Sequence, residues 1–431
     1  MATTYLKQAA RRTAAATQQV RDTVSEILID VDHHGLDAVR RWSRELDGWA
    51  PDDFRVDPAT IAAAEQETDD ALQAHLGFAL EQVQNFASLQ LETLSELEVE
   101  TLPGVVLGHR HIPVEAVGSY SPGGRYPLIA SAIMTVAVPK VAGVDRVVAC
   151  APPRQGRGIH APQLYAMALS GADEIFCFGG VQALAAMAFG VDGLEPVDMI
   201  VGAGNAYVAE AKRQLFGKVG IDLLAGPTEI LVLADANADS ELVALDLLGQ
   251  AEHGPTSPAV LVTDSEELGR SVLDAVAVLL TSFPTAEVAA KAWEDVGEVI
   301  VCRDASAMVE ISDAYAPEHL EVQTEDPEWF FKRLRNYGSV FLGREATVAY
   351  GDKAIGVNHV LPTGTAARYT GGLWVGKFLK TVTYQRVTED GTRHVAPPTA
   401  AICDAEHMYG HALTARHRLD ALDSLAPTQT V

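Results

Sequence analysis

Cysteine is scarce in this 431-residue chain, and the few cysteines are scattered. The four lie far apart without a CxxC pair, at Cys150, Cys177, Cys302 and Cys403. A disulfide framework needs a denser and more closely spaced set. We therefore expect reduced, mostly buried thiols, as in a cytoplasmic protein.

Positive charge is also in short supply. The chain has 32 Lys and Arg against 58 Asp and Glu, which gives a formal net charge of −26. A field of this sign repels nucleic acid and acidic lipid headgroups, so we expect neither as a partner. It also repels an anionic substrate at long range, so such a substrate would need cations placed within its site.

Long apolar runs are missing as well. No stretch approaches the roughly 20 apolar residues of a membrane-spanning helix. The N-terminal segment carries Arg and Lys but lacks the apolar region of a secretory signal. Its Ala-, Arg- and Thr-rich composition leaves a transit peptide as an alternative, although Asp22 and Glu26 follow at helical spacing.

The hydrophobic pattern changes along the chain. Residues 1 to about 95 show helical periodicity. From about residue 115, short β-branched runs alternate with Ala-rich helical stretches, and from about residue 373 the pattern predicts helix again. The β-branched runs are 145–150, 174–178, 197–201, 229–234, 259–263, 298–302 and 339–342. This alternation predicts parallel βαβ units in two sheets, and the length predicts at least two domains.

A complete dinucleotide fingerprint is absent. The segment Gly202-Ala-Gly204-Asn-Ala-Tyr207 follows a predicted strand but has Tyr207 in the place of the third glycine. The pairs Gly123-Gly124 and Gly179-Gly180 are as typical of turns as of a cofactor loop. The glycines alone therefore leave cofactor binding open.

Two pairs of polar residues could carry chemistry. Gln250 and His253 share one face of a predicted helix, so they could bind one metal ion, or they could be a capping or surface pair. Glu318 and His319 are adjacent, so their side chains diverge. They could carry out two separate proton transfers, or they could be exposed loop residues.

Two further pairs lie later in the chain. Asp352 and His359 fall in a segment interrupted by Gly and Pro, which predicts a loop and a usual location for site residues. Glu406 and His411 are five residues apart, roughly 140° around an ideal helix. They share a site only if Gly410 distorts the helix or if they approach the site from different sides.

Together these segments resemble histidinol dehydrogenases, in that family's order and near its spacing. The resemblance runs from about residue 20 to about residue 420. It is carried by Gly118-Ser-Tyr-Ser-Pro-Gly-Gly124, Gly226-Pro-Thr-Glu229, Gln250-Ala-Glu-His-Gly-Pro255, Ala316-Pro-Glu-His-Leu320 and Asn358-His-Val-Leu-Pro-Thr363.

The resemblance implies a role for each matching residue. Zinc would be bound by Gln250, His253 and Asp352, together with His411 of the partner subunit. Glu318 and His319 would be the acid/base pair, with His319 accepting the alcohol proton and Glu318 activating water to hydrate the aldehyde. The matching NAD contacts are Tyr120, Gln182 and Asn205, and the matching substrate contacts are Thr228, His359 and Glu406.

The same resemblance implies an architecture. We expect an α/β protein with two incomplete Rossmann-like parallel-sheet domains. A helical N-terminal arm would span residues 1–20, and a first domain, carrying the zinc and acid/base residues, would combine residues 21–115 and 228–372. A second domain, residues 116–227, would contact NAD. A helical tail, residues 373–431, would be shared across an obligate homodimer.

The sequence departs from the histidinol enzymes in the substrate pocket. Ala130 replaces a pocket serine, although Ser131 is adjacent, and Thr228 replaces another serine. Lys353 replaces a tyrosine, and Arg125 is a second possible cation. Added positive charge disfavours the cationic histidinol and favours an anion.

The segment 371–381 is similar to the sulfopropanediol 3-dehydrogenase branch of the family. Our first hypothesis is therefore the NAD-linked, zinc-dependent oxidation of 2,3-dihydroxypropane-1-sulfonate to sulfolactate. The alternatives are histidinol, or another small polyol or amino alcohol, as substrate. A non-enzymatic NAD- or zinc-binding paralogue is the remaining alternative.

Overall fold

The computed structural model describes residues 3–10 and 18–425. The chain forms two compact units. The first comprises the described residues of Met1–Leu91 and Val114–Phe378, and the second comprises those of Glu92–Pro113 and Leu379–Val431.

The strands are numbered in chain order. They are β1 (Thr4–Lys7), β2 (Leu97–Leu102), β3 (Val105–Pro113), β4 (Ala116–Tyr120), β5 (Arg146–Ala151), β6 (Glu174–Cys177), β7 (Met199–Val201), β8 (Gly220–Ile221), β9 (Ile230–Ala234), β10 (Ala259–Thr263), β11 (Glu298–Val301), β12 (His319–Gln323), β13 (Ser339–Leu342) and β14 (Leu379–Val387).

The α-helices are numbered in the same way. They are α1 (Gln18–Asp47), α2 (Pro58–Glu67), α3 (Asp70–Glu92), α4 (Ile129–Val141), α5 (Ala161–Leu169), α6 (Gly180–Phe189), α7 (Ala206–Leu215), α8 (Ser240–Ala251), α9 (Glu266–Leu279), α10 (Ala286–Val296), α11 (Ala305–Tyr315), α12 (Pro327–Phe331), α13 (Val348–Lys353), α14 (Glu389–Ala405) and α15 (Tyr409–Leu425). Short 3₁₀ helices span Ala366–Arg368 and Val375–Phe378.

The first unit contains a six-stranded sheet in the order β1-β11-β10-β9-β12-β13. Its strands are parallel except β1, which pairs antiparallel with β11. Successive residues of β9 face opposite sides, as strand geometry requires. Ile230 and Val232 pack in a core with residues of α8, α9 and α10, whereas Leu231 and Leu233 pack with residues of α11 and α12. Burial on both faces explains why β9 and β10 are nearly continuous apolar runs.

A second sheet in the same unit has five parallel strands in the order β6-β5-β4-β7-β8. One apolar core joins it to α1, α6 and α7; its members include Val24, Ile27, Val148, Leu184 and Val208. Helix α1 bends at Gly35, whose backbone φ is 53°. The long N-terminal helix therefore packs with the five-stranded sheet.

The second unit combines an antiparallel sheet with a helical pair. The sheet order is β14-β3-β2. A small core between α14 and α15 consists of Ala396, Ala400, Cys403, Ala412 and Ala415. Every residue of β2 is exposed in the single chain.

The structure confirms the α/β class and the two sheets of parallel strands. A strand occurs at each of the seven β-branched runs. The four cysteines are free and buried, as expected. In the described residues, no helix has the length and apolarity that crossing a membrane requires.

The structure differs from expectation in two segments near the chain ends. The expected helical arm is a strand at residues 4–7, because pairing with β11 holds a segment too short for its own periodicity to reveal. The remaining arm residues 1–2 and 11–17 lie outside the described residues. The tail is helical over α14 and α15, as expected, but it starts with a strand, β14, which pairs along its length with β3; tail residues 426–431 lie outside the described residues.

The expected domain boundaries also change. Residues 92–113 belong to the second unit, not to the first α/β domain, because β2 and β3 pair with β14. Helix α1, assigned to the zinc-bearing domain, packs with the five-stranded sheet. The division of the first unit into two α/β domains, with its remaining boundaries, stays a prediction.

Candidate active site

The predicted acid/base residues lie at the amino edge of the six-stranded sheet. His319 is the first residue of β12, where it pairs with Ile230 at the start of β9. Helices α8 and α13 return from the opposite edge, so their last turns reach the same place. This topology brings Gln250 and Asp352, on those helices, next to His319.

The imidazole of His319 is buried and fixed in orientation. Its Nδ1 lies 3.0 Å from the carbonyl oxygen of Glu229, to which it donates a hydrogen bond. In the neutral form, the lone pair is therefore on Nε2. Among the described residues Nε2 has no hydrogen-bond partner, and Asp352 Oδ1 lies 3.5 Å away. The atom that can exchange a proton is thus free.

Glu318 is buried beside His319, but its carboxylate is held by other groups. Its Oε2 accepts hydrogen bonds from Thr228 Oγ1 at 2.5 Å and from the backbone N–H of Glu229 at 2.9 Å. The same oxygen is 3.4 Å from His319 Nδ1. The two side chains are oriented by separate contacts, as their adjacency in the sequence suggested.

Burial and charge shift the pKa values of both groups. Burial raises the pKa of Glu318 to about 7, against the opposing effect of His319 and its hydrogen bonds. Burial alone would lower the pKa of His319, but the charges of Glu318 and Asp352 raise it to about 9. Glu318 can therefore gain and lose a proton near neutral pH.

Thr228 links the acid/base pair to the predicted metal-binding helix. Its hydroxyl donates to Glu318 and accepts a hydrogen bond from Gln250 Nε2 at 2.5 Å. The predicted substrate residue is therefore also a bridge between two site residues. The contact between Thr228 and Glu318 depends on the pairing of β9 with β12, which the sequence does not reveal.

The predicted metal ligands of the first unit line one cavity. Gln250, His253 and Asp352 line a cavity of about 430 Å³ together with His359 and Lys353. Burial lowers the pKa of His253, which favours the neutral imidazole that binds metals. Burial opposes ionisation of Asp352, but His319, His359 and Lys353 lower its pKa and keep it anionic.

The chemistry of this donor set fits zinc. An amide oxygen, an imidazole and a carboxylate are ligands that Zn²⁺ accepts. In the described part of the chain, no three His, Cys, Asp or Glu side chains are grouped so as to hold a metal ion. Gln250, His253 and Asp352 include only two such residues, since the third donor is an amide.

The other predicted site residues fall into two groups. The ring of His359 is held in orientation, because Nε2 lies 2.7 Å from Ser131 Oγ and Nδ1 lies 3.0 Å from the Asp352 carbonyl oxygen, and burial lowers its pKa. Glu406 and His411 belong to the second unit, at the end of α14 and the start of α15. Both are exposed in the single chain.

The predicted NAD residues lie at the carboxyl edge of the five-stranded sheet. Tyr120 ends β4, Gln182 lies in the first turn of α6, and Asn205 caps α7 by accepting hydrogen bonds from Tyr207 N and Val208 N. All three line a cavity of about 700 Å³ that also reaches Glu318 and His319. The carboxyl edge of a parallel sheet is the usual ligand-binding edge.

The two predicted cations also line this cavity. Lys353 borders both cavities, its Nζ is 3.7 Å from Asp352 Oδ2, and its side chain is 54% exposed. Arg125 lines the larger cavity only and is exposed. Lys353 is therefore the cation placed beside the predicted metal ligands.

Sequence reasoning missed several polar residues of this region. Asp47 lines the larger cavity and accepts a hydrogen bond from Gln182 Nε2 at 2.9 Å. Glu229 orients His319 through its carbonyl group, and Ser131 orients His359. Only Ser131 had a signal, its position beside Ala130; the others depend on long-range packing.

Fold and site together describe an α/β protein in which the predicted acid/base pair and the predicted NAD residues line one cavity of about 700 Å³. The family model of histidinol dehydrogenase matches residues 10–419. The chain belongs to the histidinol dehydrogenase family, whose members are NAD-dependent oxidoreductases that act on CH–OH groups in a four-electron oxidation. The family is also known to use zinc.

Individual relatives support this assignment over nearly the whole chain. A "Histidinol dehydrogenase homolog 1" from Mesorhizobium japonicum is 54% identical over 390 residues, covering 90% of this chain and 78% of the relative. A "Sulfopropanediol 3-dehydrogenase" from Ruegeria pomeroyi is 47% identical over 417 residues, covering 96% of each chain. The crystal structure of histidinol dehydrogenase from Elizabethkingia anophelis superposes with a TM-score of 0.91 at 32% identity, covering 96% of this chain and 95% of that one.

Proposed function

We propose that this protein oxidises 2,3-dihydroxypropane-1-sulfonate to sulfolactate, using zinc and two molecules of NAD per turnover. The choice of substrate depends on the position of Lys353. This cation lines both cavities, as do Asp352 and His359. The name of the Ruegeria pomeroyi relative supports the same substrate.

His319 is proposed to accept the proton of the substrate alcohol. Its Nδ1–H is committed to the Glu229 carbonyl oxygen, so Nε2 is the accepting atom. The charges of Glu318 and Asp352 raise the pKa of His319, so a cation bound to Asp352 would lower that pKa towards neutrality. The base would then match the working pH.

Glu318 is proposed to act in the second half of the reaction. Its pKa of about 7 lets it accept a proton from water as water adds to the aldehyde. Two donors, Thr228 Oγ1 and Glu229 N, hold its carboxylate during this transfer. The common cavity would retain the aldehyde between the two hydride transfers.

Zinc is proposed to be held by Gln250, His253 and Asp352, with His411 of the partner subunit as the fourth ligand. When bound, the ion would polarise the substrate oxygen as a Lewis acid. Tyr120, Gln182 and Asn205 are proposed NAD contacts, and Thr228, His359 and Glu406 are proposed substrate contacts. Glu406 would also come from the partner's tail.

The proposed homodimer has support in the surface of the second unit. Exposed apolar side chains concentrate on β2 and on the two tail helices; they include Leu97, Val99, Leu102, Ile402, Met408, Tyr409 and Leu413. Clusters of this kind are usual where another protein surface is bound. The same helices carry Glu406 and His411.

Substrate charge is the basis of the decisive test. A sulfonate would be attracted by Lys353 and Arg125, whereas the ammonium group of histidinol would be repelled. NADH formation should be measured with the sulfonate diol, histidinol and an uncharged diol in parallel. Efficient oxidation of histidinol without oxidation of the sulfonate diol would establish the second candidate, histidinol dehydrogenase, which the Elizabethkingia anophelis structure favours.

A substitution separates the role of Lys353 from general effects. Lys353→Met should raise KM for the sulfonate diol by about tenfold or more, the equivalent of one lost charge-assisted hydrogen bond. The effect on an uncharged diol should be smaller, and kcat should be retained. Lys332→Met, at an exposed position after α12, is the control. If both substrates are unaffected by Lys353→Met, Arg125 is the next position to test.

Metal dependence is tested on the wild-type protein and one variant. Chelation should abolish turnover and added Zn²⁺ should restore it, while His253→Ala should contain less zinc by elemental analysis. A zinc-free His253→Ala protein with full activity would refute the metal assignment.

A further inference from the structure

Lys212 and Asp222 form the most deeply buried ion pair among those found in the described residues. Their side chains are 2% and 0% exposed, and Lys212 Nζ contacts Asp222 Oδ1 directly. Lys212 lies in α7, whereas Asp222 follows β8. Removing two charges from water is costly, and an apolar pair of similar volume is often as stable. The geometry of the pair therefore needs an explanation other than stability.

Both members of the pair form a hydrogen bond with the backbone of one residue, Gly202. Asp222 Oδ2 accepts a hydrogen bond from Gly202 N at 2.8 Å, and Lys212 Nζ donates to Gly202 O at 2.9 Å. Both polar groups of the Gly202 backbone are thus fixed by charged partners. This fixes the orientation of the turn that follows, residues 202–205, between β7 and α7.

The turn is packed too tightly to adopt another position easily. The backbone φ of Gly202 is +116°, and a Cβ at this position would lie 2.0 Å from the carbonyl oxygen of Tyr120. Tyr120 ends β4 and lines the same cavity as residues 203–205. The ion pair, the turn and the end of β4 therefore form one rigid wall.

The pair also reaches a second wall of the cavity. Asp222 Oδ1 accepts a hydrogen bond from Leu223 N at 2.6 Å, and the chain continues directly into residues 225–228, which line the cavity. That segment ends at Thr228, which contacts Glu318. The buried contact between Lys212 and Asp222 thus connects two cavity-lining segments. One is residues 203–205, directly before α7, and the other is residues 225–228, after β8.

We propose that Lys212 and Asp222 are positioning residues for the cofactor: they hold the Gly202–Asn205 turn in the conformation that binds NAD. Neither side chain lines the larger cavity, so both would act through the turn. Loss of the pair should weaken cofactor binding by more than the loss of an equally stabilising pair elsewhere in the same sheet. This inference depends on the proposed NAD binding in the larger cavity.

The test is the affinity for NADH measured without turnover. The double variant Lys212→Met/Asp222→Leu removes both contacts to Gly202 and leaves no unpaired buried charge. Its Kd for NADH, from ligand fluorescence or calorimetry, should rise by about tenfold or more, as expected for one lost charge-assisted contact. The KM for NAD should rise in parallel, while kcat at saturating NAD stays near the wild-type value.

A half-buried pair at the amino edge of the same sheet, outside the larger cavity, gives the control. Arg146, at the amino end of β5, pairs with Glu174 at 2.6 Å. Arg146→Met/Glu174→Leu should lower Tm without changing the Kd for NADH. Lys212→Gln is the second variant if the double variant does not fold, and it too should weaken NADH binding.

The outcomes separate the inference from the function on which it depends. If a folded Lys212 variant binds NADH as tightly as the wild type, or if the Arg146 control loses as much affinity, the positioning role is wrong. If the wild-type protein itself does not bind NADH, the proposed function fails instead.

Discussion

Glu321 is a fully buried carboxyl group that shares a hydrogen-bond donor with another. Gln323 Nε2 donates to Glu321 Oε2 at 2.9 Å and to Asp246 Oδ2 at 2.8 Å. Two carboxylates so close together, one buried and one half-buried, cannot both ionise easily. Burial and the charge of Asp246 accordingly raise the pKa of Glu321 to about 8.

This raised pKa predicts how stability changes with pH. The usual pKa of the group is 4.5, so between 4.5 and about 8 the folded protein retains a proton that the unfolded chain releases. Stability contributed by this proton is present below the lower value and is lost as pH rises through the higher one. Glu321→Gln should flatten this decline, as measured by the urea midpoint at a series of pH values. An equally steep decline in Glu321→Gln would contradict the prediction; Glu310→Gln, on the exposed surface of α11, is the control.

Substitutions of Glu318 and of His319 should slow different half-reactions. Glu318→Gln keeps an oxygen for the donors Thr228 and Glu229 but cannot accept a proton from water. It should slow the oxidation of added aldehyde more than the oxidation of alcohol to aldehyde. His319→Gln should slow turnover from the alcohol by roughly 10²–10⁴-fold, the usual contribution of a general base. A normal rate of aldehyde oxidation by Glu318→Gln would disprove its role in hydration.

At the scale of elements, α8 has a capping residue at its start and a predicted metal ligand in its last turn. Asp239 caps its first turn by accepting hydrogen bonds from Glu241 N and Leu242 N, and Gln250 lies in its last turn. Asp239→Ala should lower the free energy of unfolding by about 1 kcal/mol, the usual value of such a cap. The exposed ion pair of Asp239 with Arg344 adds little.

Loss of the cap should not affect zinc binding at the other end of α8. Zinc content in Asp239→Ala should remain that of the wild type, because the lost contacts are some three turns away from Gln250. Asp239→Asn retains an accepting oxygen and should restore most of the stability in urea unfolding. Zinc loss in a folded Asp239→Ala protein would show that the helix end is coupled to its cap.

The elements that could be predicted are those with a local cause. Strands β9 and β10 are apolar runs because helices cover both faces, and that pattern is visible in the sequence. The shared face of Gln250 and His253 follows from helical spacing. By contrast, β1 and β14 exist because of distant partners, β11 and β3, so nothing in their own sequences distinguishes them from helix or loop.

The site divides in the same way. The family motifs predict which residues act, but the contacts that orient them are long-range. The hydrogen bonds from Thr228 to Glu318 and from Gln250 to Thr228 join segments 90 and 22 residues apart. The register of β12 against β9 places Glu318 beside Thr228, and a sequence shows register only after the sheet order is known.

At the scale of the molecule, the two sheets of the first unit have opposite roles. The six-stranded sheet presents its amino edge to the acid/base residues, and the five-stranded sheet presents its carboxyl edge to the predicted cofactor residues. Both edges border the cavity of about 700 Å³. A hydride acceptor at the substrate carbon and a proton acceptor at its hydroxyl oxygen could therefore be held in the same cavity, as an oxidation of CH–OH requires.

The predicted dimer makes each active site depend on two chains. His253 belongs to the first unit and His411 to the second, and the proposal takes them from different subunits. His253→Ala and His411→Ala should each be inactive alone. A mixed dimer would contain one site with both residues mutated and one site with both residues intact.

Mixing the two inactive variants therefore gives a test that neither variant provides alone. With equal amounts and free exchange, half of the dimers are mixed and half of their sites are intact, so about a quarter of the wild-type activity should return. Exchange can be followed with differently tagged subunits, and a mixture of His253→Ala with itself is the control. Because an isolated chain cannot combine residues from two variants, recovered activity requires a site shared between subunits. Verified exchange without recovery would mean that each subunit builds its zinc site alone.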